Sequence, residues 1–503
     1  MSIGSLLIHG GLVADPVSGQ VERRDLLIDG GRITRIGVPG AIKESNARQY
    51  DATDRLILPG FINAHTHGHA SLMKGVADRW TLEASLTNGP WLAGARDPET
   101  IYLSTLLAAV DMLSKGCTAC FDLVYEFPRP TAEGFAAVAR AYADAGIRAV
   151  IAPMVADKSL YDAIPGLAAT LPADLRNTVS GFALHGDATI EAIEAVVAMR
   201  NSLPEGISLA IAPTIPHHCS ERFLLQCVDL ADRHDLPIHM HVAESRLQAV
   251  TARKLYGRSP VAYLNDLGVL SPRFIAAHAI WLDDHDLDLM AEHRCRVAHI
   301  PASNLRLGSG IAHVRPMLDR GITVGLATDG ANSSDALSML QAMRLASYGA
   351  RAFAAPREAW LTAAETVRLA TVGGANIVGR PDSGRIETGA PADLAFFDLD
   401  HIDFVPLTDP LNQLVTCADS ASVTDVMIDG RFVVENKQIV SVDISDLRER
   451  VTDTVARLTV SLRDVRTLAG RLEPHVVAFA QSLANEPLGN IEHFIRPERS
   501  STP

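Results

Sequence analysis

The pattern of hydrophobic and polar positions changes twice along the chain. Near both ends, short apolar runs alternate with turns; these runs are residues 5–16, 23–37, 392–400 and 422–440. Asp29-Gly30 and Asp429-Gly430 are dipeptides typical of hairpin turns. Because the ends of a domain often lie close together, we expect residues 1–58 and 385–440 to form one small β-sandwich domain.

Between these ends, short apolar strands alternate with helical segments. The predicted strands are GFINAHT (60–66), GCTACFDL (116–123), RAVIAPMVA (148–156), ISLAIAPT (207–214), LPIHMHVAE (236–244), RFIAAHAI (273–280), RVAHIPASN (296–304) and ITVGLATDG (322–330). They are apolar on both faces, as strands covered on both sides are. Eight such strands with helical crossovers predict an α/β fold, a (β/α)8 TIM-type barrel over residues 59–384. We interpret a ninth apolar run, VSGFALHG (179–186), as an insertion before a helix.

The sequence pattern of residues 441–503 predicts a helical C-terminal extension. Its apolar positions recur at helical spacing: Val451, Val455, Leu458, Leu462, Val465 and Leu468. Such a stripe favours a helix that packs on the body of the protein; an oligomer contact is the alternative.

Composition narrows the function. The chain has 503 residues, 47% hydrophobic and 21% charged, with a formal net charge of −14. A protein that binds nucleic acids or anionic membranes needs a basic surface, so we expect neither as a partner. Six cysteines are too few for a disulfide scaffold, and neither a secretory signal nor a membrane-spanning run is visible, which predicts a cytoplasmic protein.

Two strand ends carry paired histidines. His65 and His67 are two residues apart on a strand, so both imidazoles point to the same side and can reach one ion. His241 ends another strand, with Glu244 three residues on. A metal ligand beside a carboxylate that moves protons is what water activation needs. His239 faces the same side but lies deeper, and we interpret it as a hydrogen-bonded interior residue.

Two further strand ends complete the pattern. His278 ends RFIAAHAI, and Asp329 follows the apolar run TVGLA. An unpaired aspartate after so apolar a strand would be costly, and a bound cation would resolve that cost.

This ordered set resembles the amidohydrolase superfamily, in particular the branch with S-adenosylhomocysteine and methylthioadenosine deaminases, 8-oxoguanine deaminase and triazine hydrolases. The similarity spans roughly residues 5–440 and rests on PGFINAHTHGHASLMKGVAD, HMHVAES, AAHAIWL, LATDGANSSDALSML and APADLAFFDLD. The resemblance implies that His65, His67, His241 and Asp329 are metal ligands. It also implies that Glu244 is a proton shuttle, that His278 polarises the reacting centre, and that Asp329 orients the water.

Binuclear relatives carry a carboxylated Lys or a Glu at the end of the fourth strand, and ISLAIAPTIP offers neither. We therefore expect one divalent ion, zinc rather than iron, although iron is chemically allowed.

The substrate contacts depart from the family pattern. Thr214 stands where many relatives have a histidine, so His217 or His218 would have to compensate, and Ser85 stands where nucleoside-type relatives have a tryptophan. Trp91 is a candidate wall for a ring, although a tryptophan also serves as packing. Both departures weaken the assignment to S-adenosylhomocysteine or methylthioadenosine.

We therefore predict a deaminase that acts on a small nitrogen-rich heterocycle, such as a purine, pterin, pyrimidine or triazine, by attack of hydroxide generated at the metal. Hydrolytic dechlorination, or C–N hydrolysis of an amide, urea or carbamate, is the alternative within enzymes. A non-catalytic binding protein on the same barrel is the alternative of another class. A homo-oligomer is expected from the resemblance alone.

Overall fold

The computed structural model describes residues 4–488, except residues 77, 95, 183, 335 and 354–355, so part of the predicted extension (489–503) lies outside the described residues. The strands are β1 (Leu6–Ala14), β2 (Val21–Asp29), β3 (Arg32–Gly37), β4 (Arg48–Asp51), β5 (Arg55–Pro59), β6 (Phe61–His67), β7 (Cys117–Val124), β8 (Arg148–Val155), β9 (Ile207–Leu209), β10 (Ala212–Pro213), β11 (Ile238–Val242), β12 (Phe274–His278), β13 (Arg296–His299), β14 (Thr323–Leu326), β15 (Asp329–Gly330), β16 (Leu394–Asp398), β17 (Val423–Ile428), β18 (Arg431–Glu435) and β19 (Gln438–Ile439).

The α-helices are α1 (Leu82–Ala93), α2 (Pro98–Leu113), α3 (Ala132–Ala145), α4 (Leu160–Ala163), α5 (Leu167–Thr170), α6 (Ala173–Val179), α7 (Gly186–Ala198), α8 (Glu221–His234), α9 (Arg246–Tyr256), α10 (Pro260–Asp266), α11 (Asp284–Glu292), α12 (Pro301–Arg306), α13 (Val314–Asp319), α14 (Met339–Gly349), α15 (Ala363–Arg368), α16 (Gly374–Ile377), α17 (Pro410–Thr416), α18 (Ile444–Ser461) and α19 (Arg463–Ala484). Short 3-10 helices lie at Gly68–Met73, Met199–Ser202, Pro216–His218, Ala350–Phe353, Arg357–Ala359, Ile402–Phe404 and Ser420–Ser422, and a π-helical turn at Leu369–Gly373. No helix among the described residues is long and apolar enough to cross a membrane.

Two parallel sheets form the centre of this α/β fold. One has the order β10-β8-β7-β6-β15, with β9 also paired to β8, and the other runs β11-β12-β13-β14. Each of the eight predicted segments contains a strand, but 207–214 and 322–330 are each broken into two short strands. The described residues of 179–186 hold no strand, in agreement with their interpretation as an insertion.

Contacts join the two sheets at both edges. A parallel bridge pairs Ile211 with Ile238, and the Ile211 amide donates to the Pro237 carbonyl at 2.9 Å. At the other edge the chain runs from β14 into β15, which pairs with β6. The break before β15 arises because the Thr328 amide donates to the Asn63 side-chain oxygen (3.0 Å) instead of to a neighbouring strand. All the parallel strands therefore end on the same side of the molecule.

Both ends of the chain meet in one nine-stranded sheet of β1–β5 and β16–β19, in which β5 pairs antiparallel with β16. The two predicted hairpins are confirmed: β2 pairs with β3, and β17 with β18. At both turns the residues have positive φ, with Gly30 at 56° and Gly430 at 70°. Type I′ turns need such angles at both central residues, which are Gly30 and Gly31 in the first hairpin, where Asp29 still pairs with Arg32, and Asp429 and Gly430 in the second.

The C-terminal stripe packs on the body, as predicted, but as two helices that break at Leu462 rather than one. Leu458 and Leu462 are buried in a cluster with Leu72, Met73 and Trp91. The structure shows the packing alternative for Trp91, which the sequence left open beside a contact with the substrate. Its ring packs in this cluster, and its Nε1 donates to Asn88 Oδ1 at 2.6 Å.

Candidate metal centre

The ends of the parallel strands bring the predicted ligands together. His65 and His67 end β6, His241 lies on β11, and Asp329 begins β15. Ligand atoms of the three histidines all lie within 4.8 Å of one another. This is the one group of three or more such side chains found with metal-binding spacing in the described part of the chain.

Two of the rings are oriented by main-chain carbonyls. His67 Nδ1 lies 2.8 Å from the Leu123 carbonyl, and His241 Nδ1 lies 2.9 Å from the Thr214 carbonyl. A carbonyl oxygen only accepts, so each Nδ1 carries a hydrogen and each Nε2 points its lone pair into the site. The two Nε2 atoms lie 3.4 Å apart.

The third ring is oriented by another histidine. His65 Nδ1 lies 3.3 Å from His239 Nε2, while His65 Nε2 is buried and has no hydrogen-bond partner among the described residues. Burial lowers the pKa of His65 to about 3, so this ring is neutral at pH 7. The interpretation of His239 as an interior, hydrogen-bonded residue agrees with this contact.

Asp329 completes the cluster. Its Oδ1 lies 3.1 Å from His67 Nε2 and 3.7 Å from His65 Nε2, and its Oδ2 accepts a hydrogen bond from Ser303 at 2.6 Å. Burial acts to raise the pKa of this carboxyl, but its close contacts with the His65 and His67 rings outweigh burial and hold the pKa well below the usual range. The group is therefore a carboxylate.

This donor set fits a divalent cation. Three imidazole nitrogens and one carboxylate oxygen converge, and one of the nitrogens is a buried atom with no other partner. A proton competes for the same place, because the Asp329 hydrogen bond and charge raise the pKa of His67 despite its burial. One proton, however, serves only one of the nitrogens. Imidazole and carboxylate ligands of this kind are those of zinc sites.

Glu244 and His278 lie together beside the cluster. Glu244 Oε2 is 3.6 Å from His278 Nε2, and both side chains are almost fully buried. Burial, together with the charges of Asp329 and Glu83, raises the pKa of Glu244 well above its usual value. Glu244 is thus a buried carboxyl whose surroundings favour its protonated form.

Asn304 sets the orientation of His278. Its Oδ1 lies 2.8 Å from His278 Nδ1, so the hydrogen of the neutral ring sits on Nδ1 and Nε2 is left as an acceptor. Burial lowers the pKa of His278, which favours that neutral form. His278 can therefore accept a proton at Nε2.

Several strand ends leave the sheets with strained backbone. Ala243, His278 and Asp329 have φ of 50°, 68° and 69°, in the left-handed region that residues with a Cβ avoid. Such conformations cost about 1–3 kcal/mol each and cluster at functional sites. These residues lie just after β11, at the end of β12 and at the start of β15, where the side chains of the site emerge.

The structure places the three predicted substrate contacts in different surroundings. The Thr214 carbonyl accepts hydrogen bonds from both the amide and Nδ1 of His241, each at 2.9 Å, so its main chain positions a ligand. His217 is 3% exposed, and its ring packs edge-on against that of His218, with ring centroids 4.8 Å apart. Trp91 packs in the cluster described above.

Sequence reasoning missed Ser303 and Asn304. Both were taken as part of a strand, but they belong to α12, which begins at Pro301. Proline is favoured at the first position of a helix, and this was the available signal. One helical turn then carries the partners of both Asp329 and His278.

The chain is similar to known proteins over most of its length. The sequence profile of the amidohydrolase family matches residues 56–433. A 5'-deoxyadenosine deaminase of Methanothermobacter thermautotrophicus is 32% identical over 90% of this chain and 99% of that protein. A 5-methylthioadenosine/S-adenosylhomocysteine deaminase of Syntrophomonas wolfei is 33% identical over 88% and 97%.

Solved structures are also similar to this chain. An adenosine deaminase from Xanthomonas campestris with bound zinc superposes with a TM-score of 0.77 at 29% identity, covering 90% of this chain and 98% of that one. An atrazine chlorohydrolase from Arthrobacter aurescens TC1 complexed with zinc gives 0.80 at 29% identity, covering 90% and 100%.

Proposed function

The chain belongs to the amidohydrolase family, and from this membership and the geometry of its site we propose that it is a zinc-dependent aminohydrolase that releases ammonia from a nitrogen-rich heterocycle. The observation that carries the proposal is the buried Glu244, whose carboxyl lies 3.6 Å from His278 and beside the three converging histidines. Relatives named as deaminases of adenosine-type compounds support it.

We propose one ion, held by His65, His67, His241 and Asp329. Among the described residues only one such cluster is present, and the end of β10 offers Thr214 where a second ion would need a lysine or glutamate. Zinc in two similar structures favours zinc over iron. A divalent cation held there supplies the Lewis acidity that makes water nucleophilic near neutral pH.

Asp329, Glu244 and His278 have different roles in orienting the water and moving protons. The Asp329 carboxylate, fixed by Ser303, orients the attacking water. Glu244 donates the proton held on its carboxyl to a ring nitrogen of the substrate, which makes the neighbouring carbon electron-poor. Glu244, now a carboxylate, takes a proton from the attacking water and passes it to the departing amine. His278 accepts a hydrogen bond at Nε2 from the added hydroxyl group, stabilises the tetrahedral state, and relays that hydroxyl proton back to Glu244 as the carbonyl forms.

We also propose the finer architecture. Side chains from both parallel sheets meet in one inner cluster rich in alanine, which supports closure into a (β/α)8 barrel over residues 59–384. The terminal sheet would be the sandwich domain of residues 1–58 and 385–440, and residues 441–503 the helical extension. Six free cysteines support a cytoplasmic protein, and a homo-oligomer remains a proposal from family resemblance.

A second reaction is favoured by a specific observation: the similarity to an atrazine chlorohydrolase. The same site would attack a ring carbon bearing chlorine, or the carbonyl of an amide, urea or carbamate, and only the leaving group would differ. A non-catalytic binding protein fits less well, because Glu244 is retained, buried and paired with His278.

Metal analysis combined with a release screen separates these functions. The purified protein would be assayed with purines, pterins, pyrimidines and triazines for ammonia, chloride and amine. Ammonia release with one zinc per chain supports the proposal. Chloride or an alkylamine supports the second reaction, and a zinc-loaded protein inert toward the whole set contradicts both.

A further inference from the structure

A cavity of about 360 Å³ is lined by residues that closely follow Glu244 and His278 in the chain. Its walls come from the start of α1, the segment after β11, Trp281, residues 307–309 and the last turn of α19. Ligand pockets for small molecules begin at about this size. A larger open groove between α7 and α8 contains none of the predicted site residues.

The cavity shares its walls with the site. Ser245, which follows Glu244, lines it and donates a hydrogen bond to Glu83 Oε1 at 2.9 Å. The amide of Trp281, three residues after His278, donates to the Ala243 carbonyl at 3.0 Å. One side of the cavity is thus built from the same two strand ends that present Glu244 and His278.

The opposite side is the end of α19, where Gln481 and Asn485 line the cavity. Arg246 fixes this end: it donates to the main-chain carbonyls of Ala484 and Glu486, and its guanidinium lies 5.4 Å from the centre of the Trp281 ring. Farther along the helix, Asn88 donates to Glu473 Oε2 at 2.8 Å. These contacts with Arg246 and Asn88 therefore hold α19 in place along the cavity.

The family match ends at residue 433, before α18 and α19 begin. A wall of the cavity is thus supplied by a part of the chain outside the family profile. A wall that carries none of the proposed metal ligands can change without disturbing the chemical centre, so it is suited to select among substrates.

We propose that this cavity holds the substituent carried by the heterocycle and that Gln481 and Asn485 select that substituent. This inference rests on the proposed function for the identity of the ring. The chemistry favours an uncharged, hydrogen-bonding group of sugar type. Glu83 would repel an anion, and the guanidinium of Arg246 is already bound to main-chain carbonyls. A nucleoside is therefore accepted and its 5'-phosphate is not.

The test compares the double variant Gln481→Leu/Asn485→Leu with the wild type. Adenine and 5'-deoxyadenosine serve as probes that share a ring and differ in the substituent. Ser482→Leu is the matched control, because Ser482 is exposed on the same turn and does not line the cavity. We would measure kcat/KM for ammonia release, and Kd by calorimetry in a zinc-loaded Glu244→Gln background, where turnover is slow.

We expect the double variant to lower the preference for 5'-deoxyadenosine over adenine at least about 10-fold, as the loss of one or two hydrogen bonds does. Ser482→Leu should leave the preference within about 2-fold of the wild type. Adenosine 5'-monophosphate should bind at least about 10-fold more weakly than 5'-deoxyadenosine.

The results distinguish a failure of the proposed function from a failure of the cavity assignment. If the Kd preference shifts but no ammonia is released, the proposed function fails and the cavity assignment stands. If ammonia is released but the preference is unchanged, the assignment is overturned. Absence of measurable binding of both probes also overturns it.

Discussion

The Nε2 atoms of His67 and His241 lie 3.4 Å apart, although each ring donates its Nδ1 hydrogen to a main-chain carbonyl. Two neutral imidazoles cannot hydrogen-bond to each other in that state. Either a proton or a cation has to stand between them and the Asp329 carboxylate. A metal therefore replaces a proton on binding, and its affinity falls as the pH drops through the pKa of His67, which is raised.

Removal of the metal should destabilise the protein. Without the cation the lone pairs of three histidines and a carboxylate face one another in a buried site. At a free zinc concentration about 1,000-fold above Kd, binding adds about 4 kcal/mol to stability. Scanning calorimetry before and after chelation should show a lower Tm, restored by zinc and not by magnesium. An identical Tm in both states would speak against the site.

Glu244→Gln should keep the metal and lose the reaction. The amide preserves size but cannot release a proton from its side chain to the substrate, and general acid–base groups contribute about 10²-fold or more. Ammonia release and zinc content are measured on the same preparation. Near-normal turnover would refute the proton-shuttle assignment.

Asn304→Leu should impair catalysis through His278. The substitution removes the acceptor of the His278 Nδ1 hydrogen, so the ring loses its fixed orientation. We expect kcat to fall about 10–100-fold, the range for partners of this type, with zinc content unchanged. Asn304→Asp keeps an acceptor oxygen and should recover part of the rate. Equal activity of the leucine variant and the wild type would show that the contact has no role.

His239→Leu should weaken zinc binding about 10–100-fold, since it removes the hydrogen-bond partner of His65 Nδ1. Once saturated with zinc, the variant should turn over at a rate close to that of the wild type, because His239 is not itself a ligand. The Kd comes from competition with a chromogenic chelator. Complete loss of zinc at saturating concentrations would instead make His239 a ligand.

Arg148→Met should reduce the free energy of unfolding by about 3–5 kcal/mol, the cost of breaking a buried ion pair. Arg148 starts β8 and pairs with Asp393 at the junction with the terminal sheet, and both side chains are buried. Urea unfolding measures the change. Arg233→Met is the control: its ion pairs with Asp229 and Glu194 are exposed, and their loss should leave the free energy of unfolding close to that of the wild type.

Much of the ligand cluster could be predicted from the sequence because the signals are local. Two histidines two apart on a strand share a face, and the carboxyl ends of parallel strands meet at one side. The hairpins were predictable for the same reason, since Gly30-Gly31 and Asp429-Gly430 are local turn signals. Placement that depends on one element is therefore accessible from the sequence.

Trp91 and the residues that support the site could not be predicted. The position of Trp91 depends on α18 and α19, more than 350 residues later in the chain, and nothing local marks that packing. Ser303 and Asn304 were hidden by an apolar strand that ends earlier than its composition suggests, where Pro301 starts a helix. The Glu83–Ser245 contact joins residues 162 positions apart. Long-range packing of this kind has no periodic signature.

The most direct test of this account is anomalous diffraction at the zinc absorption edge from crystals of the zinc-loaded protein. We predict one peak per chain, within about 2.0–2.2 Å of the Nε2 atoms of His65, His67 and His241 and of Asp329 Oδ1. A protein that binds zinc elsewhere, or that shows no peak among these four atoms, would contradict it.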